Sequence, residues 1–324
     1  MNPATNFGCT PFIPGLVSVI VPVHNRAHIV GKTLDSILTQ TYHQLEVVTV
    51  NDGSTDDSLF VLQAYAADYP DRIVVVDQAK AGQVRARNHG LAKARGEYLA
   101  FLDSDDTWEK EKLALQMQLF KGDVGLVYCG IYEVNDAGKI TRTVLCESEV
   151  IGNAYGQLLI RNRMTGGSVV VTRKALDSVG IFDDSLKAGE NWDLWIRIAK
   201  EYQIAYVNQP LVRYLRHQGN MSLNSKLMSD AALAILQKHM PNRPAHGELR
   251  DIYDAAYANY FYNQGVGNFS IGDYVTARKF FYQSWRYRLL YRDSALRVIR
   301  SFFGVKLNGI IASLKLQNKK YFHV

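Results

Sequence analysis

Between residues 17 and 102, short β-branched runs alternate with segments whose apolar residues recur at helical spacing, and this alternation limits the possible folds more than any other feature of the chain. Strands are expected at 17–23, 45–50, 72–76 and 97–102, with helices at 27–40, 58–67 and 84–94; in the first helix Ile29, Val30, Leu34, Ile37 and Leu38 mark the buried face. Strand and helix repeat at about 25 residues, which predicts an α/β fold with a mostly parallel central sheet and helices on both faces. In such a sheet ligands bind outside the carboxyl ends of the strands.

Those ends carry the polar residues of interest. The first strand runs into Pro22-Val23-His24-Asn25-Arg26, the second into Asn51-Asp52-Gly53-Ser54-Thr55-Asp56, and the fourth into Asp103-Ser104-Asp105-Asp106. Ser54 and Asp56 also read as turn and cap residues. The acidic tetrapeptide follows a buried apolar run, and carboxylates at i and i+2 of an extended segment repel unless a cation lies between them. Oxygen ligands of this kind suit Mg²⁺ or Mn²⁺ holding substrate phosphates. Alone, the tetrapeptide reads rather as a solvated turn capping a helix from Trp108; Asp52 at a neighbouring strand end reverses that and favours the site.

Composition removes other classes. Hydrophobic residues make up 47% and charged residues 21% of the 324, ordinary values for a globular chain with one large domain and an appendage. The net charge of +6 is unevenly placed: from Arg278 onward eleven Lys and Arg face Asp293 alone, giving +10 there and −4 elsewhere. An acidic body with a basic tail is not expected to bind nucleic acid. Cys9, Cys129 and Cys146 form no C-x-x-C pair and are expected as reduced thiols without zinc. The first fifteen residues show no leader pattern and no stretch reaches the roughly 18 apolar residues of a span, so the expected location is cytoplasmic.

Four segments, 17–25 (VSVIVPVHN), 51–56 (NDGSTD), 82–88 (GQVRARN) and 96–106 (GEYLAFLDSDD), resemble in order and spacing the inverting, nucleotide-sugar-dependent glycosyltransferases of family 2. The resemblance extends through 214–222 and implies the GT-A fold, with a nucleotide-binding half at 16–110 and an acceptor half at 111–224, after an N-terminal extension at 1–15. It implies that Pro22, Val23 and Asn25 line the nucleotide pocket, that Asp52 meets the base, and that Arg87 lies against the nucleotide. It further implies that Asp103, with Ser104, meets the ribose, while Asp105 and His217 hold Mn²⁺ or Mg²⁺. The expected donor is a UDP-sugar and the expected acceptor a glycan or lipid-linked hydroxyl in cell-surface polysaccharide synthesis.

Such a transfer needs a base for the acceptor hydroxyl. Relatives carry Glu-Asp-Trp-Asp-Leu-Trp where this chain has Glu190-Asn191-Trp192-Asp193-Leu194-Trp195, and an amide at 191 cannot take a proton. Asp193 is the expected base, followed by Glu190; the alternative is that both cap their helix and pair with Arg197. Of Trp192 and Trp195, one is expected to stack on a sugar and one to fill the core. Residues 203–207 read as an edge strand.

From 225 to 324 the texture is helical, with a tetratricopeptide-like hairpin at 262–284 and a basic amphipathic tail suited to peripheral contact with the inner face of a membrane. Two other functions stay open. Asn191 is compatible with a nucleotide-sugar-binding protein of impaired chemistry, and Asp103-x-Asp105-x-Thr107 fits a haloacid-dehalogenase phosphatase nucleophile, although there the Asp pair ends the first core strand. A dinucleotide oxidoreductase is excluded, because no G-x-G-x-x-G follows the first strand.

Overall fold

The computed structural model describes residues 12–146, 154–289 and 294–300. Most of the N-terminal extension, Cys9, and the tail from 301 lie outside the described residues. The chain divides into two compact units: one comprises 1–158 and 162–223, the other 159–161 and 224–324.

In the first unit, β1 (Ile13–Val23), β2 (Leu45–Asp52), β3 (Ile73–Gln78) and β4 (Gly96–Phe101) pair in parallel in the order β3-β2-β1-β4. Every residue of β2 is buried, as expected of a strand covered on both faces. The connecting helices are α1 (Val30–Leu38), α2 (Ser58–Asp68) and α3 (Gln83–Lys93). Val30, Leu34 and Ile37 turn α1 onto the core, while α3 approaches so closely that a Cβ on Gly90 would lie 2.6 Å from Ile20 Cγ2. Burial of polar groups within the sheet is compensated: Ser18 Oγ donates to Glu46 Oε1 at 2.6 Å, and Arg95 binds the same carboxylate.

Register aligns the carboxyl ends. Val23 lies opposite Asn51, Asp52 opposite Gln78, and Ile20 opposite Phe101, so the segments following β1, β2 and β4 emerge together.

The second half extends the sheet through β5 (Thr107–Trp108), β6 (Val124–Val134), β7 (Ile140–Val144), β8 (Val170–Thr172) and β9 (Gln203–Leu215), in the order β4-β8-β6-β9-β5 with β7 on β6. Here the pairings are antiparallel except for β6 with β9. With it are α4 (Lys112–Met117), α5 (Ala154–Ile160), α6 (Arg173–Val179) and α7 (Glu190–Glu201).

Residues 203–207 begin β9, which runs thirteen residues; they pair with β6 alone among the described strands, as expected of an edge, and β5 joins only at Val212 and Arg213. Two other expectations are corrected. No helix starts at Trp108, which is in β5 opposite Val212; helix begins at Lys112. Neither Trp192 nor Trp195 is available to stack on a sugar. Trp192 is 8% exposed and donates Nε1–H to the Leu158 carbonyl at 2.6 Å, while Trp195 is wholly buried beside Phe101 and Phe182.

The second unit is helical, with α8 (Ser225–His239), α9 (Glu248–Ser270), α10 (Tyr274–Tyr287) and α11 (Ser294–Arg300). The expected hairpin is α9 with α10: a Cβ on Gly265 would lie 2.6 Å from the Phe281 ring, so the small residue permits the approach. Asp273 caps α10 by accepting from the Thr276 N–H at 3.0 Å. No helix among the described residues is long and apolar enough to cross a membrane.

Candidate active site

Beyond β1 the chain turns at Asn25, the one described non-glycine residue with positive φ, +53°. Asn tolerates this region, and here its side chain also anchors the turn. Asn25 Oδ1 accepts from the Thr55 N–H at 2.8 Å, and the Asn25 N–H donates to Ser54 Oγ at 3.0 Å. The 51–56 segment is thereby fastened to the end of β1, and Pro22 and Val23 are its buried last residues.

Asp52 is 4% exposed and holds the turn that starts α3. Its Oδ1 accepts from Ala81 N–H and Gln78 Nε2, each at 2.7 Å, and its Oδ2 from Gly82 N–H at 2.9 Å. Gly53 has φ +62°, and a Cβ there would lie 2.6 Å from Lys80 N, so the two turns meet backbone to backbone. His24 donates from Nδ1 to the Asp52 carbonyl at 2.9 Å, leaving Nε2 to accept from Lys80 Nζ at 2.9 Å.

Arg87 is central to the site and 1% exposed. It donates to Asp103 Oδ1 and Glu190 Oε1, both at 2.6 Å, and to Asn191 Oδ1 at 3.2 Å, with the Phe182 ring centroid 5.7 Å away. Burial works against its charge, but Asp103 and Glu190 outweigh that and raise its pKa above the ordinary arginine value. Gln83, one helical turn earlier, donates to the same Asp103 oxygen at 2.7 Å.

Asp105 receives different partners, Arg26 at 3.4 Å and His217 Nε2 at 3.1 Å, both at Oδ2. His217 Nδ1 accepts from the Gly219 N–H at 3.1 Å, which places the ring proton on Nε2 and makes the histidine a donor to Asp105. Ser104 is buried, and so is Asp106, which accepts from the Leu215 N–H at 2.9 Å and ties the acidic turn to the end of β9. Burial, then the charges of Asp103 and Asp105, push the Asp106 carboxyl well above the usual carboxylate range.

The expected bases fall in different places. Glu190 opens α7, after left-handed Gly189, and reaches Arg87 at the site. Asp193 has no exposed surface and binds Arg197 Nε at 2.9 Å, while that guanidinium also donates to the carbonyls of Val179, Gly180 and Ile181. The structure brings together Asn25, Asp52, Arg87, Asp103, Asp105, Glu190 and His217, but does not bring Asp193 to them. The sequence reading did not single out Arg26 and Gln83 as site residues. Gln83 carried a signal, lying four residues before Arg87 on one helix face.

A sequence model described as Glycosyl transferase family 2 matches residues 18–179, half of the chain. The chain belongs to glycosyl transferase family 2. The chain is similar to an uncharacterized glycosyltransferase of Rickettsia felis, 28% identical over 218 residues, 65% of this chain but 36% of that protein. Another relative is the Escherichia coli UDP-Glc:alpha-D-GlcNAc-diphosphoundecaprenol beta-1,3-glucosyltransferase WfgD, 30% identical over 64% of this chain and 80% of its own length. Among solved structures, S. aureus TarS 1-349 in complex with UDP-GlcNAc aligns with TM-score 0.60 at 19% identity, covering 88% of this chain and 89% of that one. The Pyrobaculum calidifontis mannosyltransferase in complex with GDP-Man and Mn²⁺ aligns with TM-score 0.57 at 21% identity over 89% and 84%. These neighbours establish the GT-A fold of the family 2 chain.

Proposed function

We propose that this chain transfers a glycosyl group from a UDP-sugar to a hydroxyl of a glycan or lipid-linked acceptor, inverting the anomeric carbon. The observation that carries this reading is the convergence of Asp52, Asp103 and Asp105, beyond β2 and β4, with Arg87 of α3, where a parallel sheet binds its ligand. The WfgD relative, whose name specifies UDP-Glc and a diphosphoundecaprenol-linked sugar, and the TarS complex with UDP-GlcNAc support a uridine donor and a glycan or lipid-linked acceptor.

The carboxylates fit a divalent cation shared with substrate. Asp103 Oδ2 and Asp105 Oδ1 accept no hydrogen bond among the described residues, and no three acidic, His or Cys side chains there form a ready-made cage. Asp105 would hold Mn²⁺ or Mg²⁺, oriented by His217, and Asp103 would stand beside it. Such an ion, when bound, neutralises charge on the leaving diphosphate.

The protein's own residues do the rest. Asp52 fixes the 81–82 turn against which the base lies, and Arg87 holds Asp103 and Glu190 in one rigid array. Glu190, not Asp193, is the carboxylate placed to take the acceptor proton, because Asp193 is sealed behind Arg197. As the acceptor O–H proton passes to Glu190, its oxygen bonds to the anomeric carbon. The carbon–phosphate oxygen bond breaks, and its electron pair leaves on the diphosphate.

Incubation with a UDP-sugar panel, Mn²⁺ and candidate acceptors, with the product's anomeric configuration read by NMR, tests this proposal. Transfer with inversion is expected. Glu190→Gln should lower turnover about 10² to 10⁴-fold while UDP binding persists. Retention of configuration, or no UDP binding by calorimetry, overturns the reading. Asn191, an amide on Arg87, favours a second reading: UDP-sugar binding with no turnover toward any acceptor would identify a binding protein.

A further inference from the structure

The second unit has a surface that sugar transfer does not use. On α10, Ala277, Phe281 and Ser284 face inward, with Ser284 Oγ donating to the Ala258 carbonyl at 2.8 Å. The opposite stripe is Val275, Lys279, Tyr282 and Arg286, continuing to Leu289 just past the helix, at alternating spacings of four and three. Val275 is 62% exposed, Tyr282 47% and Leu289 72%; Trp285, at 36%, lies beside Tyr282 with ring centroids 5.9 Å apart. Leu296 and Ile299 of α11 are also exposed. Residues 274–292 contain no Asp or Glu, while Lys279, Arg286 and Arg288 are exposed cations.

Charge decides what can cover this stripe. The residues from 301 onward carry Lys306, Lys315, Lys319 and Lys320 and no acid, so folding back would set like charges together. A second copy meeting the same face would do the same. The partner is therefore anionic. A Tyr–Trp pair and large aliphatics interleaved with Arg and Lys bury apolar rings at headgroup depth while the cations reach the phosphates. We infer that the outer face of α10 lies on a bilayer surface bearing anionic headgroups.

Trp285 provides a residue-level probe. The other three tryptophans, Trp108, Trp192 and Trp195, are each at most 8% exposed. Full-length protein should co-sediment with phosphatidylglycerol vesicles but not with phosphatidylcholine vesicles, and brominated phosphatidylglycerol should quench Trp285 fluorescence, with the quenched component lost in Trp285→Tyr. Lys279→Gln with Arg286→Gln, both exposed, should weaken partition about thirtyfold with the circular dichroism spectrum unchanged. Should that pair misfold, release of the wild type by 0.5 M NaCl tests the same electrostatic attraction. No sedimentation with anionic vesicles, sedimentation without Trp285 quenching, or indifference to both charge removal and salt overturns the inference; a soluble acidic protein binding the stripe while vesicles do not would do so too. The assay needs neither donor nor turnover, so its failure leaves the glycosyl-transfer reading standing.

Discussion

Arg87 compensates two carboxylates at once, so replacing it leaves buried Glu190 without its cation and Asp103 with only the Gln83 amide. Arg87→Ala is expected to lower unfolding free energy by about 3 to 5 kcal/mol in urea titration, and Arg87→Lys to recover only part, because an ammonium cannot span Asp103 and Glu190 as a planar fork does. Lys112 is the contrary case: a fully buried cation over the Trp108 ring at 4.0 Å, donating to Gln116 Oε1 at 2.7 Å with no carboxylate partner among the described residues. Burial pushes its pKa down from 10.5 to about 8. The unfolded chain then binds more protons than the folded one between those values, so this residue's contribution makes stability rise with pH from about 8 toward 10.5. Lys112→Met removes the effect; its stability advantage over wild type should shrink by an amount on the order of 3 kcal/mol across that window, read from urea melts at pH 7.5 and 10.5. A fixed difference at both pH values would show that burial does not lower the Lys112 pKa, because folded and unfolded chains would then bind the same number of protons throughout. The residue types at strand ends could be read from sequence, but burial could not: the i,i+4 spacing offered Arg197 to Asp193, yet only the fold shows that Asp193, the expected base, is fully enclosed while Glu190 reaches Arg87.

At the scale of elements, β1, β2 and α1 were legible because pattern and burial agree: β2 is buried along its whole length, and Val30, Leu34 and Ile37 recur on one buried face of α1. β9 was not, because Asn208, Gln209 and Pro210 interrupt the apolar run. The structure keeps the strand going through an irregularity: Cys129 pairs with Val207 but Gly130 with Pro210, so residues 208 and 209 are extra on one side. Pro210, which has no N–H, is tolerated at such a break. The α3 packing yields a prediction. Gly90→Ala sets a Cβ 2.6 Å from Ile20 and 3.1 Å from Val50, and should destabilise by about 1 to 3 kcal/mol although alanine is the better helix former. Gly267, on α9 with nothing within 4 Å of a Cβ, is the control: Gly267→Ala should stabilise by up to about 1 kcal/mol in the same thermal melt.

For the whole molecule, the acidic body and basic C-terminal stretch separate two kinds of electrostatics. In the proposed site the strand-end carboxylates would pair with a cation, and on the proposed membrane face the exposed cations would pair with anions. If UDP with Mn²⁺ binds as proposed to segments that follow different strands, it should stabilise the native state by RT ln(1 + [L]/Kd), about 2.7 kcal/mol at a hundredfold excess over Kd. EDTA or Asp105→Ala should remove most of that shift in a thermal melt; an equal shift in their presence would show that the nucleotide binds without the cation. The placement of His217 also bears on how the protein is made. Asp105 appears early in the chain, yet its histidine, and the Leu215 amide that anchors Asp106, arrive more than a hundred residues later at the end of an interior strand. A nascent chain can build the β3-β2-β1-β4 layer while the acidic turn is still unfinished, and the site closes only when β9 has been synthesised and threaded between β6 and β5. A ribosome-stalled fragment ending before residue 203 would thus display the acidic turn without its clasp, and donor affinity would rise in one late step of synthesis.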